Sequence, residues 1–580
     1  MPKRVLVVAA VALVVALAAW YALRPDAGVP DGAPTENEMA ADVGTSVMEH
    51  LYLGHVPGRS GELLMVPKPH HFLISDWDMR QLGGPTPPLG STHPNPWSYL
   101  TRVPIIAYGE GRIPGGVTVE DPVDIASIAP TYARILGMTD FESETEANVL
   151  DAVAGPDVTP PKVIFTIVID GGGWNTLQQH PESWPTIAGL AQDGVTYVNA
   201  TIGSAPSIIG ALHATFGTGV YPRTHGLPGH VMRDGEGELV DVYLDEADPR
   251  FLDAPTVSEI WDEANANRPI VGTVAFEGWH LGMIGHGAQR ANGDEDIAVL
   301  WEREEERWWT NEEYYSLPPY LTSIGTTRLA QYEEQLDGRD GLTDGTWFGH
   351  TVEALREPAI RPGSPAFVKL TGDAVVEVIE NEPFGADRVT DMFWIEMKMP
   401  DHAGHSWNMV RPEQADVLQE TDAQIARMKA ALDRKVGPGG YILLISADHG
   451  QQPLPDLNGG WRINTGEVKE DIEERFGPVV EKVTPADIFL DMDAMGREGW
   501  APADVARYLG TYTVRDSIPE GRPGSDLVPE GRLDDLVFAA AFSTGFLESL
   551  DPVVDPTRIQ SFGEGQYAEG SFLLRDEGEQ

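Results

Sequence analysis

Continuous apolar runs alternate along this chain with stretches of helical period. Val163-Ile164-Phe165-Thr166-Ile167-Val168-Ile169 is a β-branched run that stops at Asp170-Gly171-Gly172-Gly173. Tyr441 to Ser446 stops at Ala447-Asp448-His449-Gly450, and Phe393 to Met399 stops near Asp401. A shorter run, Ile270 to Ala275, predicts a fourth strand. Strands buried on both faces of a parallel sheet read as such unbroken runs, without polar alternation. Gln, Ala and Leu spacing predicts a helix over 412–434. The alternation predicts an α/β fold, a doubly wound and mostly parallel sheet. The Trp-, Tyr- and Glu-rich stretch from about 300 to 363 predicts an insertion cap over that sheet. Three of the runs deliver polar residues at their carboxyl ends, the edge where open parallel sheets bind ligands.

The front of the chain follows another pattern. Lys3 and Arg4 precede an apolar run from Val5 to Leu23, then Arg24. Such a run is long for a signal peptide and about long enough to span a bilayer. Residues 1–24 are expected to be a signal anchor with the cytoplasmic end first. The remainder is then a single-pass, cell-membrane protein facing outward, or a secreted one if Ala16-Leu17-Ala18 is cut. A Pro-, Gly-, Ala- and acid-rich linker follows over 25–45. Residues 46–150 and 151–550 are expected to form the folded part, and 551–580 an acidic tail. The chain has no cysteine, which excludes thiol catalysis, disulfides and cysteine-held zinc. The formal charge of -50 repels polyanions, so binding to nucleic-acid polymers is not expected. Salt adaptation and a generally acidic proteome both account for such a surface.

Candidate chemistry gathers at the strand ends. Asp170 projects a hard oxygen donor where glycines turn the backbone away, though Asp-Gly is also an ordinary turn. Asp401 and His405 are four apart and share one helical face, a carboxylate and an imidazole suited to zinc. A helix-start Asp beside an exposed His is the plainer account of that pair. Asp448 and His449 can bind one ion together if Gly450 lets the chain bend. Three such places on three strands make a centre for two divalent metal ions the economical account. Zinc suits the donors, with manganese, magnesium and calcium as alternatives. Two ions clamp the attacking and leaving oxygens of a displacement at phosphorus.

Val168-Ile169-Asp170-Gly171, His213-Ala214-Thr215, Thr218-Gly219-Val220-Tyr221-Pro222, His225-Gly226, Asp401 with Gly404-His405, and Asp448-His449-Gly450 occur in this order. Together they resemble the motifs of the nucleotide pyrophosphatase/phosphodiesterase branch of the alkaline phosphatase superfamily. The resemblance implies an alkaline phosphatase-like fold acting on phosphoesters. It implies one ion on Asp170, Asp448 and His449, and another on Asp401, His405 and a further histidine. The family carries that histidine late in the chain, yet no histidine follows His449 here. Instead, Ser91-Thr92-His93, Val103-Pro104-Ile105-Ile106 and Asp124-Ile125-Ala126-Ser127-Ile128-Ala129-Pro130-Thr131 resemble the family's usual tail, placed at the front. A circular permutation follows as an expectation, with 46–150 completing the catalytic domain and His93 as the missing ligand. His70 and His71 are substitutes, and Pro94 stands where the family has glycine.

Two family positions depart from the pattern. Ile209 occupies the nucleophile slot, four residues before His213, and isoleucine cannot attack phosphorus. Ser207 becomes the candidate nucleophile, against the plainer reading of a helix cap or direct attack by metal-bound hydroxide. His230 stands at the position of a phosphate-binding asparagine, which makes it the candidate substrate-binding residue. His280 and His286 are further candidates, read more simply as structural histidines. The leading expectation is a metal-dependent phosphatase or phosphodiesterase. The alternatives are a metal-binding scaffold that has lost turnover and a phospho-group transferase acting on envelope components.

Overall fold

A computed structural model describes residues 28–74, 91–139, 141, 149–156, 158–243, 247–518, 528, 530–550, 552–555 and 558–562. The expected anchor over 1–24 lies outside these, and no described helix is long and apolar enough to cross a membrane.

The strands used below are β1 Leu63–Pro67, β2 Arg102–Tyr108, β3 Val117–Val119, β4 Val163–Ile169, β5 Val195–Thr201, β6 Val271–Val274 and β7 Asp296–Glu302. They continue with β8 Arg307–Trp309, β9 Asp391–Met397, β10 Tyr441–Ser446, β11 Val480–Val483, β12 Asp487–Leu490 and β13 Phe538–Ser543. The helices are α1 Ile209–Thr218, α2 Pro365–Asn381, α3 Met399–Trp407 and α4 Pro412–Lys435.

The central sheet has the order β8-β7-β6-β9-β4-β10-β2-β5-β3. Strand β4 lies at its middle, parallel to β9 from Val163↔Asp391 to Ile169↔Met397 and parallel to β10 from Val163↔Tyr441 to Val168↔Ser446. Its unbroken apolar run is explained by burial on both faces. Ile164 and Val168 enter one apolar core with Trp394, Leu444 and Phe216 of α1. Val163, Phe165, Ile167 and Ile169 enter the other with residues of α2 and α4. The sheet is therefore α/β and mostly parallel, as the runs predict. The exceptions are β2, antiparallel to both β10 and β5, and the edge strand β8.

The stretch 300–363 brings Leu321, Leu329, Leu336, Trp347 and Leu355 into the core shared with α2 and α4. Arg339 ties it to Asp416 and Glu420 of α4 at 2.7 and 2.9 Å.

A second sheet was not foreseen. It has the order β11-β12-β1-β13, antiparallel throughout, so the bounds 46–150 and 151–550 both cut across it. Its strands are short and come from opposite ends of the chain, which hides their pairing from local pattern. Arg233 fastens it to the main body, bonding Glu62 at 2.8 Å and the Leu490 carbonyl at 2.9 Å. Within 551–580, Pro552–Asp555 pairs with Arg558–Phe562.

Candidate metal centre

Lys398 and Asp401, which follow β9, line a cleft of about 400 Å³, and the residues that follow β4 and β10 are buried beside them. Asp170 follows β4, and the turn after it depends on Gly171 at φ +68°, where a Cβ would lie 2.1 Å from Gln451 Nε2. The Gly171 amide donates to Asp448 Oδ1 at 3.1 Å, so this turn also orients the carboxylate that follows β10. Asp170 Oδ1 lies 3.2 Å from His449 Nε2, and Asp448 Oδ2 lies 3.4 Å from it. All three atoms are buried without a hydrogen-bond partner. Orphaned buried acceptors converging this way are unfavourable unless a cation joins them. The donor set, two carboxylates and one imidazole, fits a divalent ion.

Protonation tells the same story. Burial and then the Asp170 charge push the Asp448 carboxyl up to about 8. Burial opposes charge on His449, but Asp448 and Asp170 outweigh it and raise the imidazole to about 9. Protons are thus held where an ion would take their place.

The second set gathers on α3 and the front segment. Asp401 and His405 face one another across one turn of α3, with His405 Nε2 3.2 Å from Asp401 Oδ2. His93 Nε2 comes to 3.7 Å from Asp401 Oδ1, and its ring stacks on His449 with centroids 3.5 Å apart. His93, with β2 paired between β10 and β5, therefore joins the edge at which the late motifs end. Backbone carbonyls hold Nδ1 of each imidazole: Ser207 for His93 at 2.7 Å, Ser91 for His405 at 2.6 Å and Gly450 for His449 at 2.9 Å. This turns Nε2 of each ring toward the centre, the arrangement that orients metal-binding histidines. His70 stacks on Tyr99 and His71 bonds the Pro69 carbonyl, and neither lines the cleft.

The carboxylate of this second set is already engaged. Lys398, one residue before α3, extends its ammonium between the two sets, 2.8 Å from Asp170 Oδ2 and 2.6 Å from Asp401 Oδ2. Gln451 Nε2 donates to Asp401 Oδ1 at 2.9 Å. Burial disfavours charge on Lys398, but Asp170 and Asp401 more than reverse that and raise its pKa. Burial likewise opposes charge on Asp401, yet His405 and Lys398 hold its carboxyl well below the usual range. The second set thus fits a second divalent ion less well than the first fits one.

Ser207 is placed differently from the sequence expectation. Its hydroxyl donates to the His93 carbonyl and, at 3.3 Å, reaches the Asn95 carbonyl. With its own carbonyl holding His93 Nδ1, the serine braces His93 from both its side chain and its backbone. Ile209, the first residue of α1, does line the cleft, so the nucleophile slot is in place but filled by an alkyl group.

His230 lines the cleft and stacks on Trp279 at 3.8 Å, with Nε2 free of any partner. Burial, then the nearby Lys398 charge, lower its pKa to about 3, so it meets a ligand as a neutral imidazole. His280 is drawn in further than its structural reading allows, its Nε2 3.8 Å from Asp170 Oδ2 and 3.6 Å from Glu396 Oε1. His286 is structural, held by Glu259 and the Leu252 carbonyl at 2.8 Å each.

Lys398, Glu396, Gln451 and Arg303 were missed in the sequence. Lys398 and Glu396 sit in a run read as strand, and Arg303 lies in the stretch read as a cap. Only the unusual charges inside an apolar run, at 396 and 398, could have flagged the first two.

Fold and donor set together define an α/β protein with a polar, metal-ligand-like centre at the sheet's carboxyl edge. The chain belongs to the type I phosphodiesterase / nucleotide pyrophosphatase family, whose model matches residues 164–501. It is similar to alkaline phosphatase PafA of Elizabethkingia meningoseptica, 23% identical over 378 residues, 59% of this chain and 69% of that protein. It is also similar to a protein named calcium-transporting ATPase from Myroides odoratus, 22% identical over 372 residues, 56% of this chain and 67% of that one. The crystal structure of alkaline phosphatase PafA shares the fold at TM-score 0.51 and 19% identity, over 61% of this chain and 76% of that chain.

Proposed function

We propose that the protein is a metal-dependent phosphoester hydrolase, acting on a monoester or diester, in which water rather than a side chain attacks phosphorus. The observation that carries this is the convergence of buried, unpartnered Asp170 Oδ1, Asp448 Oδ2 and His449 Nε2, next to Lys398, which bonds Asp170 and lines the cleft. Asp170, Asp448 and His449 would hold a divalent ion, which when bound supplies a Lewis acid for the phosphoryl oxygens and acidifies water. The chain's own groups do the rest. Lys398, bonded to Asp170 and Asp401, and Arg303, paired with Glu277, are the cationic groups at the cleft, and His230 offers a neutral ring for a phosphoryl oxygen. Ile208, Ile209, Trp279, Val483 and Pro485 give apolar walls for the organic half of the ester. Family membership supports phosphoester chemistry, and the likeness to alkaline phosphatases agrees with it.

The proposal extends to chain order and location. A circular permutation is supported by β2 lying between β10 and β5, by His93 reaching Asp401, and by the family match beginning only at residue 164. The basic-then-apolar start, residues 3–23, supports tethering outside the cytoplasmic membrane.

Turnover of 4-nitrophenyl phosphate and bis(4-nitrophenyl) phosphate by the full chain, before and after chelation, tests the activity. Metal-restored hydrolysis is expected, lost in Asp448→Asn. A second reading, a scaffold without turnover, is favoured by Ile209 in the nucleophile slot. Metal binding with no hydrolysis of either ester would establish that reading instead.

A further inference from the structure

Lys398 has no place in the family's ligand pattern, and the proposed chemistry uses it only as a cationic group at the cleft. It is buried to 3% exposure, and its ammonium bonds a carboxylate from each donor set. The two sets differ in what remains open. In the first, Asp170 Oδ1, Asp448 Oδ2 and His449 Nε2 have no hydrogen-bond partner. In the second, Asp401 gives one oxygen to Lys398 and the other to Gln451. Gln451 is itself fixed, because its Oε1 accepts from Ser91 Oγ at 3.2 Å. A divalent ion on Asp401 would have to displace the ammonium or sit beside it. Two cations sharing carboxylates in a buried site repel with little solvent screening. Displacement is equally unfavourable, since Lys398 would lose both partners with its charge still buried.

We infer that the Lys398 ammonium is a built-in cation that takes the place of the second divalent ion, so that the centre binds one ion, on Asp170, Asp448 and His449. Asp401 is then the anchor of the ammonium rather than a metal ligand. His93 and His405 keep their Nε2 atoms toward the cleft as hydrogen-bonding groups for a phosphoryl oxygen. The inference rests on reading Asp170, Asp448 and His449 as ion ligands.

Zinc content measures this directly, without reference to turnover. The full chain is stripped with chelator, equilibrated with zinc, desalted and counted by mass spectrometry. One zinc per chain is expected for the wild type, and one for Asp401→Asn. Lys398→Met, which keeps the length and removes the charge, is expected to bind two. Two zinc ions in the wild type would overturn the inference while leaving the first site intact. So would loss of the single zinc in Asp401→Asn, or a count of one in folded Lys398→Met. If Lys398→Met does not fold, the wild-type and Asp401→Asn counts decide alone. No zinc in the wild type would instead overturn the reading of the first site.

Discussion

At the residue scale the centre is a set of side chains whose positions are fixed by their neighbours' backbones. His93 shows this best. Its ring is oriented by the Ser207 carbonyl, and its own carbonyl is held by the Ser207 hydroxyl. Removing a group that only orients such a histidine costs about 10- to 100-fold. Removing a nucleophile costs on the order of 10⁶ in kcat. Ser207→Ala is therefore expected to lower kcat/KM with 4-nitrophenyl phosphate by about 10- to 100-fold. A loss near the larger figure would return Ser207 to the role of attacking group. The ligand-type residues were legible because each ends an apolar run. The role of Ser207 was not, because a hydroxyl two residues from the family's slot looks the same in sequence whether it faces substrate or carbonyl.

At the scale of elements, β4, β9 and β10 were legible from their unbroken apolar runs, and α3 from the spacing of Asp401 and His405. The hairpin of β11 and β12 was not. It overhangs the cleft through Lys482, Val483, Thr484 and Asp487, and belongs to a sheet assembled from distant segments. Its Asp487 is buried, and burial together with the Glu62 charge pushes the carboxyl up to about 7. An unfolded aspartate titrates near 3.9. With the folded value higher, the native state keeps its proton longer. The stability this gives is complete below about pH 4 and is lost as pH rises through about 7. Asp487→Asn removes the buried charge, so its melting temperature should exceed the wild type's by more at pH 8 than at pH 5. An equal gain at both pH values would mean that Asp487 is already neutral or already compensated.

At the scale of the whole molecule, the charge of -50 sets the behaviour in solution. Screening lengths are ~30 Å at 0.01 M salt and ~8 Å at 0.15 M. Self-repulsion across the acidic surface is therefore strongest at low salt and destabilises the compact state. The melting temperature is expected to climb across a sodium chloride series from 0.01 M to 1 M. A flat series would leave the acidic composition without a role in stability. The same scale contains the chain's order. Residues 102–108 sit two strands from β4 although some 55 residues separate them from it, counting from 108 to 163. Nothing in local periodicity announces that neighbour; the tail-like motifs did.

What the sequence determined by itself was the kind of sheet and the residues at its working edge. Burial on both faces demands unbroken apolar strands, and a strand that ends in Asp, His or Gly marks where polar groups emerge. Only the tertiary structure decided what those groups meet. Lys398 and Glu396 lie within two residues of one another on a run that local pattern assigns wholly to the interior. Whether a buried ammonium finds one carboxylate, two or none depends on where β4 and α3 bring Asp170 and Asp401. That is a matter of packing between segments 231 residues apart, from 170 to 401, and local sequence carries no record of it.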